Sequence, residues 1–323
     1  MSQPDRRYLL PDVQAALPPL YLPVPMRERE FTFKRVLLHI LLFLLTCITT
    51  AAAGAILPRI LFENVDLTFA AIGTVIVAHI LDPRSIAFAF TLLTILGMHE
   101  LGHYFACRYY RVRATMPYFI PFLPVIGIGT LGAFIKIKEP IRSRRALFDI
   151  GIAGPIAGFV FAVPAAVLGL LMAHPQVGAP QIIFNDPLLF VVIKWIFGLH
   201  GRYHWNPVWF AAWVGMIATS LNLLPVGQLD GGHITYALFG KRVHKIIGVS
   251  IFVSMVVVAV TGWFFHHWAG GVLYAVLLIV MLFAKHPPTA DPFEKIGALR
   301  IFVAILGLLI FILSVMPFPM SIG

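Results

Sequence analysis

The sequence His99-Glu100-Leu101-Gly102-His103 lies within an apolar run, residues 85–107, that contains no other Asp, Glu, Lys or Arg. As a helix, this run is long enough to cross the roughly 30 Å hydrocarbon core of a bilayer. His99 and His103 share one helical face, about 5–6 Å apart, and can bind one tetrahedral metal ion. Glu100 points away from that face and can act on a water molecule beside the metal. The motif therefore predicts a hydrolytic metal centre within a membrane helix, where an unpaired carboxylate costs a few kcal/mol.

The composition of the whole chain is that of a membrane protein. Of the 323 residues, 59% are hydrophobic and only 12% are charged, and the mean hydropathy is +0.90. A water-soluble fold could not cover its surface with so few charges. We predict an all-α polytopic membrane protein with about seven transmembrane helices. The candidate spans are residues 36–57, 85–107, 150–173 and 203–225, two spans within 246–284, and 301–316.

Basic residues favour a cytoplasmic N-terminus. Lys and Arg are concentrated before the first span and after the second, fourth and sixth, which follows the positive-inside rule. These loops explain the net charge of +10 without a nucleic-acid partner. Residues 67–81 and 187–197 are ambiguous, because both apolar stretches are short. Each either crosses the membrane or forms a re-entrant or interfacial piece. The absence of a signal or transit peptide favours a bacterial inner membrane.

Residues 116–138 are apolar but are interrupted by three prolines and three glycines. Such a segment does not form a spanning helix. Irregular backbone at membrane depth is tolerated only where protein or a wet cavity satisfies its polar groups. We predict a membrane-dipping loop or hairpin after the helix that contains the HExxH motif. The alternative is an apolar loop lying on the bilayer surface.

A catalytic zinc site needs a third protein ligand and an open position. Asp230 is the first candidate, because it follows the fourth span and the parity of the spans brings it to the same side of the membrane as the histidine pair. His233 and Cys107 are the competing donors, as His233 is three residues beyond Asp230 and Cys107 is one helical turn beyond His103.

These motifs resemble the site-2 protease family of intramembrane zinc metalloproteases, which is peptidase M50-like. The resemblance covers about residues 85–245 and rests on the HExxH motif, on Asn222…Pro225…Leu229-Asp230-Gly231-Gly232, and on residues 145–158. It implies that His99, His103 and Asp230 bind one Zn²⁺ per chain and that Glu100 is the catalytic base. It also implies regulated intramembrane proteolysis, in which peptide bonds within or next to transmembrane segments of membrane protein substrates are hydrolysed.

The chain also departs from many members of that family. No PDZ domain separates the third and fourth spans, and Asn222-Leu-Leu-Pro225 stands where many relatives have Asn-Pro. The chain therefore looks closer to a plastid and bacterial branch with extra flanking helices. We expect four regions, and they are a cytoplasmic arm (1–35), an N-terminal flanking transmembrane region (36–84), a catalytic core (85–245) and C-terminal flanking helices (246–323).

Two further assignments leave alternatives open. The Asn222 amide can bind the substrate backbone or an oxyanion, or it can be a packing residue between helices. The small-xxx-small sequence Gly154-Pro-Ile-Ala-Gly158 is assigned to helix packing. The rival functions are a metal-ion transporter, which would stack several ligand clusters along a pore, and a catalytically silent membrane scaffold. The partners expected are transmembrane substrates and the lipid bilayer, and the sequence sets no oligomeric state.

Overall fold

The computed structural model describes residues 32–62, 68–141, 143–175, 182–201, 203–266 and 294–322. Most of the predicted arm (1–35) and the whole of the second predicted span within 246–284 lie outside these ranges. The elements in chain order are α1 (Phe33–Phe62), α2 (Phe69–His79), α3 (Pro83–Tyr109), β1 (Tyr118–Pro121), β2 (Thr130–Phe134), α4 (Arg144–Leu171), β3 (Ile182–Phe184), α5 (Leu188–Ile196), α6 (Pro207–Asn222), α7 (Asp230–His266), α8 (Ala298–Ser314) and β4 (Met320–Ile322).

Four of the described helices are long and apolar enough to cross a membrane, namely α1, α3, α4 and α7. Two further predicted spans correspond to shorter helices, because α6 has 16 residues and α8 has 17. The ambiguous segment 67–81 contains α2, whose 11 residues reach only about 16 Å. The chain is therefore a mostly helical membrane protein, and the count of seven spans stays a prediction. The all-α description is too simple, because the described residues include two short strand pairs.

The centre of the molecule is a helical core in which α3 and α4 pack together and α6 covers both. The core side chains are almost fully buried and include Phe88 and Leu92 from α3 and Trp209 and Trp213 from α6. Gly169 allows this close approach, because a Cβ there would lie 2.5 Å from Trp209 Cα. By contrast, the outer face of α1 exposes large apolar side chains such as Leu41, which is 59% exposed. In a membrane protein, that face is the one that contacts lipid.

Residues 118–134 form an antiparallel hairpin of β1 and β2, in which Tyr118 pairs with Phe134. A hairpin was one of the two forms that the broken apolar sequence predicted. Its turn lies against α1, where Thr49 Oγ1 donates a 2.6 Å hydrogen bond to the carbonyl of Gly129. Gly129 has a φ of 80°, and a Cβ there would lie 2.2 Å from the Thr49 carbonyl oxygen. The glycine therefore permits both the turn and the contact that fixes the hairpin beside α1 and α3.

The C-terminal helix α8 is joined to the core by charged contacts. Arg300 forms a bidentate pair with Asp149 of α4, with N–O distances of 2.9 and 2.7 Å, and it also donates to Tyr110 Oη at 3.0 Å. Just before α8, the Glu294 carboxylate accepts the backbone N–H of Arg144 at 2.7 Å. A carboxylate at the first turn of α4 satisfies an otherwise unpaired N–H. These contacts hold the C-terminal region against the end of the core that lies next to Tyr110.

Candidate metal centre

Three predicted ligand atoms lie close together in the core. Asp230 Oδ2 is 3.1 Å from His99 Nε2 and 3.3 Å from His103 Nε2, and the two Nε2 atoms are 3.2 Å apart. All three side chains are largely shielded from solvent. The structure therefore brings together the three residues that the sequence analysis named as ligands, although Asp230 is more than 120 residues from the histidines in the chain.

The spacing of these atoms fits a zinc ion. In a tetrahedral site with bonds of about 2.0–2.1 Å, neighbouring ligand atoms lie about 3.3–3.4 Å apart. The three separations of 3.1, 3.2 and 3.3 Å form a triangle of nearly that size. The donor set of two imidazoles and one carboxylate is also that of catalytic zinc sites, which keep the fourth position open.

The orientation of His103 is set by α4. Its Nδ1–H donates a 2.7 Å hydrogen bond to the Ile150 carbonyl, which leaves Nε2 free of hydrogen for a metal. Gly154 lies against the same ring, and a Cβ there would be 2.1 Å from His103 Nε2. One turn further along α4, a Cβ at Gly158 would be 3.1 Å from His99 Cβ. The two glycines thus give both imidazoles the space they occupy between α3 and α4.

Asp230 reaches the histidines because of a tight turn between α6 and α7. Asp230 is the first residue of α7, and the two glycines that follow lie against the turn. A Cβ at Gly231 would be 2.0 Å from the Leu223 carbonyl oxygen, and one at Gly232 would be 2.4 Å from the Gly227 carbonyl oxygen. Because any side chain at these positions would push α7 away, the Asp-Gly-Gly sequence is what allows the carboxylate to approach the imidazole pair.

Glu100 lies beside the centre without taking a ligand position. One of its oxygens is within 4.8 Å of the ligand atoms of His99 and His103, whereas Asp230 is in direct contact with both. Glu100 Oε2 accepts a 3.0 Å hydrogen bond from the backbone N–H of Ile135, immediately after β2. This bond fixes the carboxylate and leaves its other oxygen for a water molecule. The arrangement favours Asp230 as the third ligand and Glu100 as a proton acceptor.

A cavity of about 300 Å³ opens beside His99 and Glu100. Its walls come from α3, from β2 and from α6, and Asn222 at the end of α6 is one of the lining residues. Asn222 Nδ2 is 3.3 Å from His99 Nε2. The amide is therefore next to the metal position as well as to the space that a reacting group would occupy.

The competing donors differ in their surroundings. Cys107 is fully buried in an apolar cluster with Ala114, Ala146 and Ile150, where a thiol behaves as a small hydrophobic group. The Cβ of His233 lies against Gly151 of α4.

Helix packing, the role that the sequence analysis assigned to Gly154 and Gly158, describes these glycines only in part, because both also leave space for the imidazoles. Their four-residue spacing matches that of His99 and His103. This match is the sequence feature that could have indicated the contact between the glycines and the imidazoles.

The fold and the site define an integral membrane protein with a two-histidine, one-carboxylate centre between three helices. Residues 87–261, more than half of the chain, match the model of peptidase family M50. The chain belongs to peptidase family M50.

Among curated proteins, the chain is similar to the probable zinc metalloprotease EGY1, chloroplastic, of Arabidopsis thaliana. The two are 29% identical over 242 residues, which cover 71% of this chain and 42% of the relative. The protein of the same name from Oryza sativa subsp. japonica is 33% identical over 164 residues, covering 47% and 28%. The chain thus spans less than half the length of these relatives. A solved structure, the site-2 protease from Methanocaldococcus jannaschii, matches with a TM-score of 0.37 and 16% identity over 66% of this chain and 84% of that one.

Proposed function

We propose that this chain is a zinc-dependent endopeptidase that hydrolyses peptide bonds within or next to transmembrane segments of other proteins. One observation carries the proposal, the approach of Asp230 Oδ2 to within 3.3 Å of both His99 Nε2 and His103 Nε2 inside an apolar helix bundle. Membership of peptidase family M50 supports the reaction class. The names of the plant relatives, which are probable zinc metalloproteases, support zinc as the metal.

Each residue of the centre has a distinct task in this proposal. His99, His103 and Asp230 hold the zinc ion. When bound, zinc supplies a Lewis acid that polarises the scissile carbonyl and makes water nucleophilic near neutral pH. Glu100, held by the Ile135 N–H, takes a proton from the attacking water and later gives it to the leaving amine. The Asn222 amide donates a hydrogen bond to the oxyanion that develops on the carbonyl.

The substrate must present an extended backbone, because a helix hides its peptide bonds. Among the described residues, strand β2 is paired with β1 on one side only, and its residues Leu131 to Ala133 line the cavity beside His99 and Glu100. A substrate segment that unwinds can add to such an edge through main-chain hydrogen bonds. In this arrangement the hairpin both receives the substrate strand and, through Ile135, orients the catalytic carboxylate.

The finer aspects of topology are part of the same proposal. We infer a cytoplasmic N-terminus from the distribution of Lys and Arg, with a catalytic core over residues 85–245 and flanking regions at 36–84 and 246–323. A bacterial inner membrane remains our prediction, and the plant relatives carry the word chloroplastic in their names. Reaction of single introduced cysteines, one at Lys138 and one at Gly198, with an impermeant reagent in sealed vesicles tests the orientation, since the two positions are expected on opposite sides.

A comparison of native and Glu100→Gln protein in the same membranes tests the activity. We expect the native chain to release peptide fragments from membrane proteins. The rate of release is expected to fall by a factor of about 10² to 10⁴ with the variant, because a general base contributes that much to the rate. Zinc content must be equal in the two samples, since Glu100 is not a ligand. The matched control is Glu139→Gln, which removes a carboxylate that pairs with Arg113 outside the cavity. Undiminished cleavage by a zinc-loaded Glu100→Gln protein contradicts the proposal.

A further inference from the structure

A second, larger cavity lies between the start of α1 and the hairpin, and none of its lining residues belongs to the metal-site cavity. Its volume is about 610 Å³, within the range of about 300–1,000 Å³ that small-molecule sites occupy. Three cationic side chains line it, Arg35, Lys136 and Lys138, and no Asp or Glu does. The cavity is therefore positively charged.

These three cations have no acidic partner within the part of the chain that the structure describes. The nearest carboxylate in sequence, Glu139, is already engaged by Arg113. It accepts the Arg113 backbone N–H at 2.7 Å and lies 3.6 Å from the Arg113 guanidinium. Three like charges around one space repel one another, so the cavity favours an anion.

Two polar side chains, His39 and Thr115, belong to the same wall, and the Thr115 hydroxyl is available to an anion. His39 donates from Nδ1 to the Arg35 carbonyl at 2.6 Å, while its Nε2 is buried with no hydrogen-bond partner among the described residues. Thr115 Oγ1 accepts the Lys136 N–H at 3.0 Å, and its own hydroxyl hydrogen remains for an acceptor. An anion with several oxygens, such as a phosphate, matches these donors.

The remaining wall is apolar and continues onto the lipid-facing side of α1. Val36, Ile40 and Met116 line the cavity, and the neighbouring Leu37 and Leu41 are 52% and 59% exposed on the outer surface of the helix. The cavity thus lies where the basic start of α1 passes into its apolar length, and we expect this part of α1 to lie at the level of the lipid headgroups. A ligand that combines a phosphate with hydrocarbon chains fits both parts of this surface.

We propose that this cavity binds the phosphate headgroup of an anionic phospholipid, with the acyl chains along the outer face of α1. Basic pockets at the membrane surface bind such headgroups, and each cation near the phosphate strengthens binding about fivefold. The site is coupled to the hairpin, because Lys136 directly follows Ile135, whose N–H binds Glu100. A bound lipid therefore holds the segment after β2 whose Ile135 N–H makes this hydrogen bond.

Native mass spectrometry of the full chain in detergent, titrated with phosphatidylglycerol or phosphatidylcholine, tests the proposal. The native chain is expected to retain phosphatidylglycerol in preference to phosphatidylcholine. The double variant Lys136→Gln/Lys138→Gln is expected to bind phosphatidylglycerol on the order of 30-fold more weakly. Lys241→Gln/Arg242→Gln is the matched control, since it removes two exposed cations that do not line the cavity, and it is expected to bind as the native chain does.

Several results would overturn the proposal. These are equal affinity for the two lipids, equal weakening by both double variants, or native affinity in Lys136→Gln/Lys138→Gln. Displacement of phosphatidylglycerol by millimolar inorganic phosphate would assign the cavity to a free anion instead. Carbodiimide cross-linking of Lys136 to an acidic residue of segment 1–31 in lipid-free protein would assign it to the chain itself. None of these measurements depends on proteolytic activity.

Discussion

Gly154→Ala adds a single methyl group, and we expect it to disrupt the metal centre. The added methyl group would lie 2.1 Å from His103 Nε2, whereas favourable contacts between heavy atoms begin at about 3.5 Å. The ring or the two helices must therefore move apart by roughly 1–1.5 Å. Metal–ligand distances tolerate only about 0.2 Å, so the displaced Nε2 can no longer bind the metal together with His99 and Asp230.

We expect the Gly154→Ala protein to lose at least 100-fold in zinc affinity, and a misplacement of this size to cost at least about 10² in rate. The strain itself costs about 1–3 kcal/mol in stability. The zinc that stays bound is quantified by elemental mass spectrometry after dialysis against chelators of increasing zinc affinity. Folding is followed by circular dichroism.

A series of glycine variants separates this effect from a general effect of alanine. Gly158→Ala, whose Cβ would be 3.1 Å from His99 Cβ, is expected to be intermediate. Gly73→Ala in α2 is the matched control, because nothing lies within 4 Å of its Cβ and zinc binding should be unchanged. A folded Gly154→Ala protein that binds one zinc ion with native affinity refutes the reasoning.

Three other outcomes follow from particular contacts. Asn222→Ala is expected to lower kcat by about 10² to 10³ with zinc retained, because it removes an oxyanion donor, and an unchanged kcat in steady-state assays returns Asn222 to a packing role. Arg300→Met is expected to lower the free energy of unfolding by about 1.5–3 kcal/mol, since it removes the charged hydrogen bonds to Asp149, and an unchanged denaturation midpoint contradicts this. Burial raises the pKa of Tyr110 above its ordinary value of 10.0, so this phenol's contribution to stability is full below pH 10 and is lost as the pH rises further. Tyr110→Phe should therefore remove part of the alkaline decline in denaturation scans, and an identical decline in both proteins would count against it.

The histidine pair could be predicted from the sequence because its geometry is local. A spacing of four residues on a helix fixes the relative placement of His99 and His103 wherever the helix lies. Asp230 could be named as a candidate from the parity of the spans, but its distance from the imidazoles depends on how α6 turns into α7. That turn depends on the contacts of Gly231 and Gly232 with backbone carbonyls, which no local pattern reveals.

Contacts between residues far apart in the chain could not be predicted from the sequence. The hydrogen bond from Ile135 to Glu100 joins residues 35 positions apart and requires the hairpin to lie beside α3. The broken apolar sequence predicted that residues 116–138 do not span but form a membrane-dipping loop or hairpin, with an apolar loop on the bilayer surface as the alternative. The structure shows a hairpin whose turn packs against Thr49 of α1, and its depth in the membrane stays a prediction. The number of spans depends on helix lengths that hydropathy overestimated, as in α6.

Anomalous diffraction at the zinc absorption edge from crystals of the native protein tests the central claim most directly. The account predicts one zinc ion per chain, about 2.0–2.2 Å from His99 Nε2, His103 Nε2 and an oxygen of Asp230. A zinc peak elsewhere, or a zinc ion on the histidine pair with Asp230 out of bonding distance and another donor in its place, would contradict it.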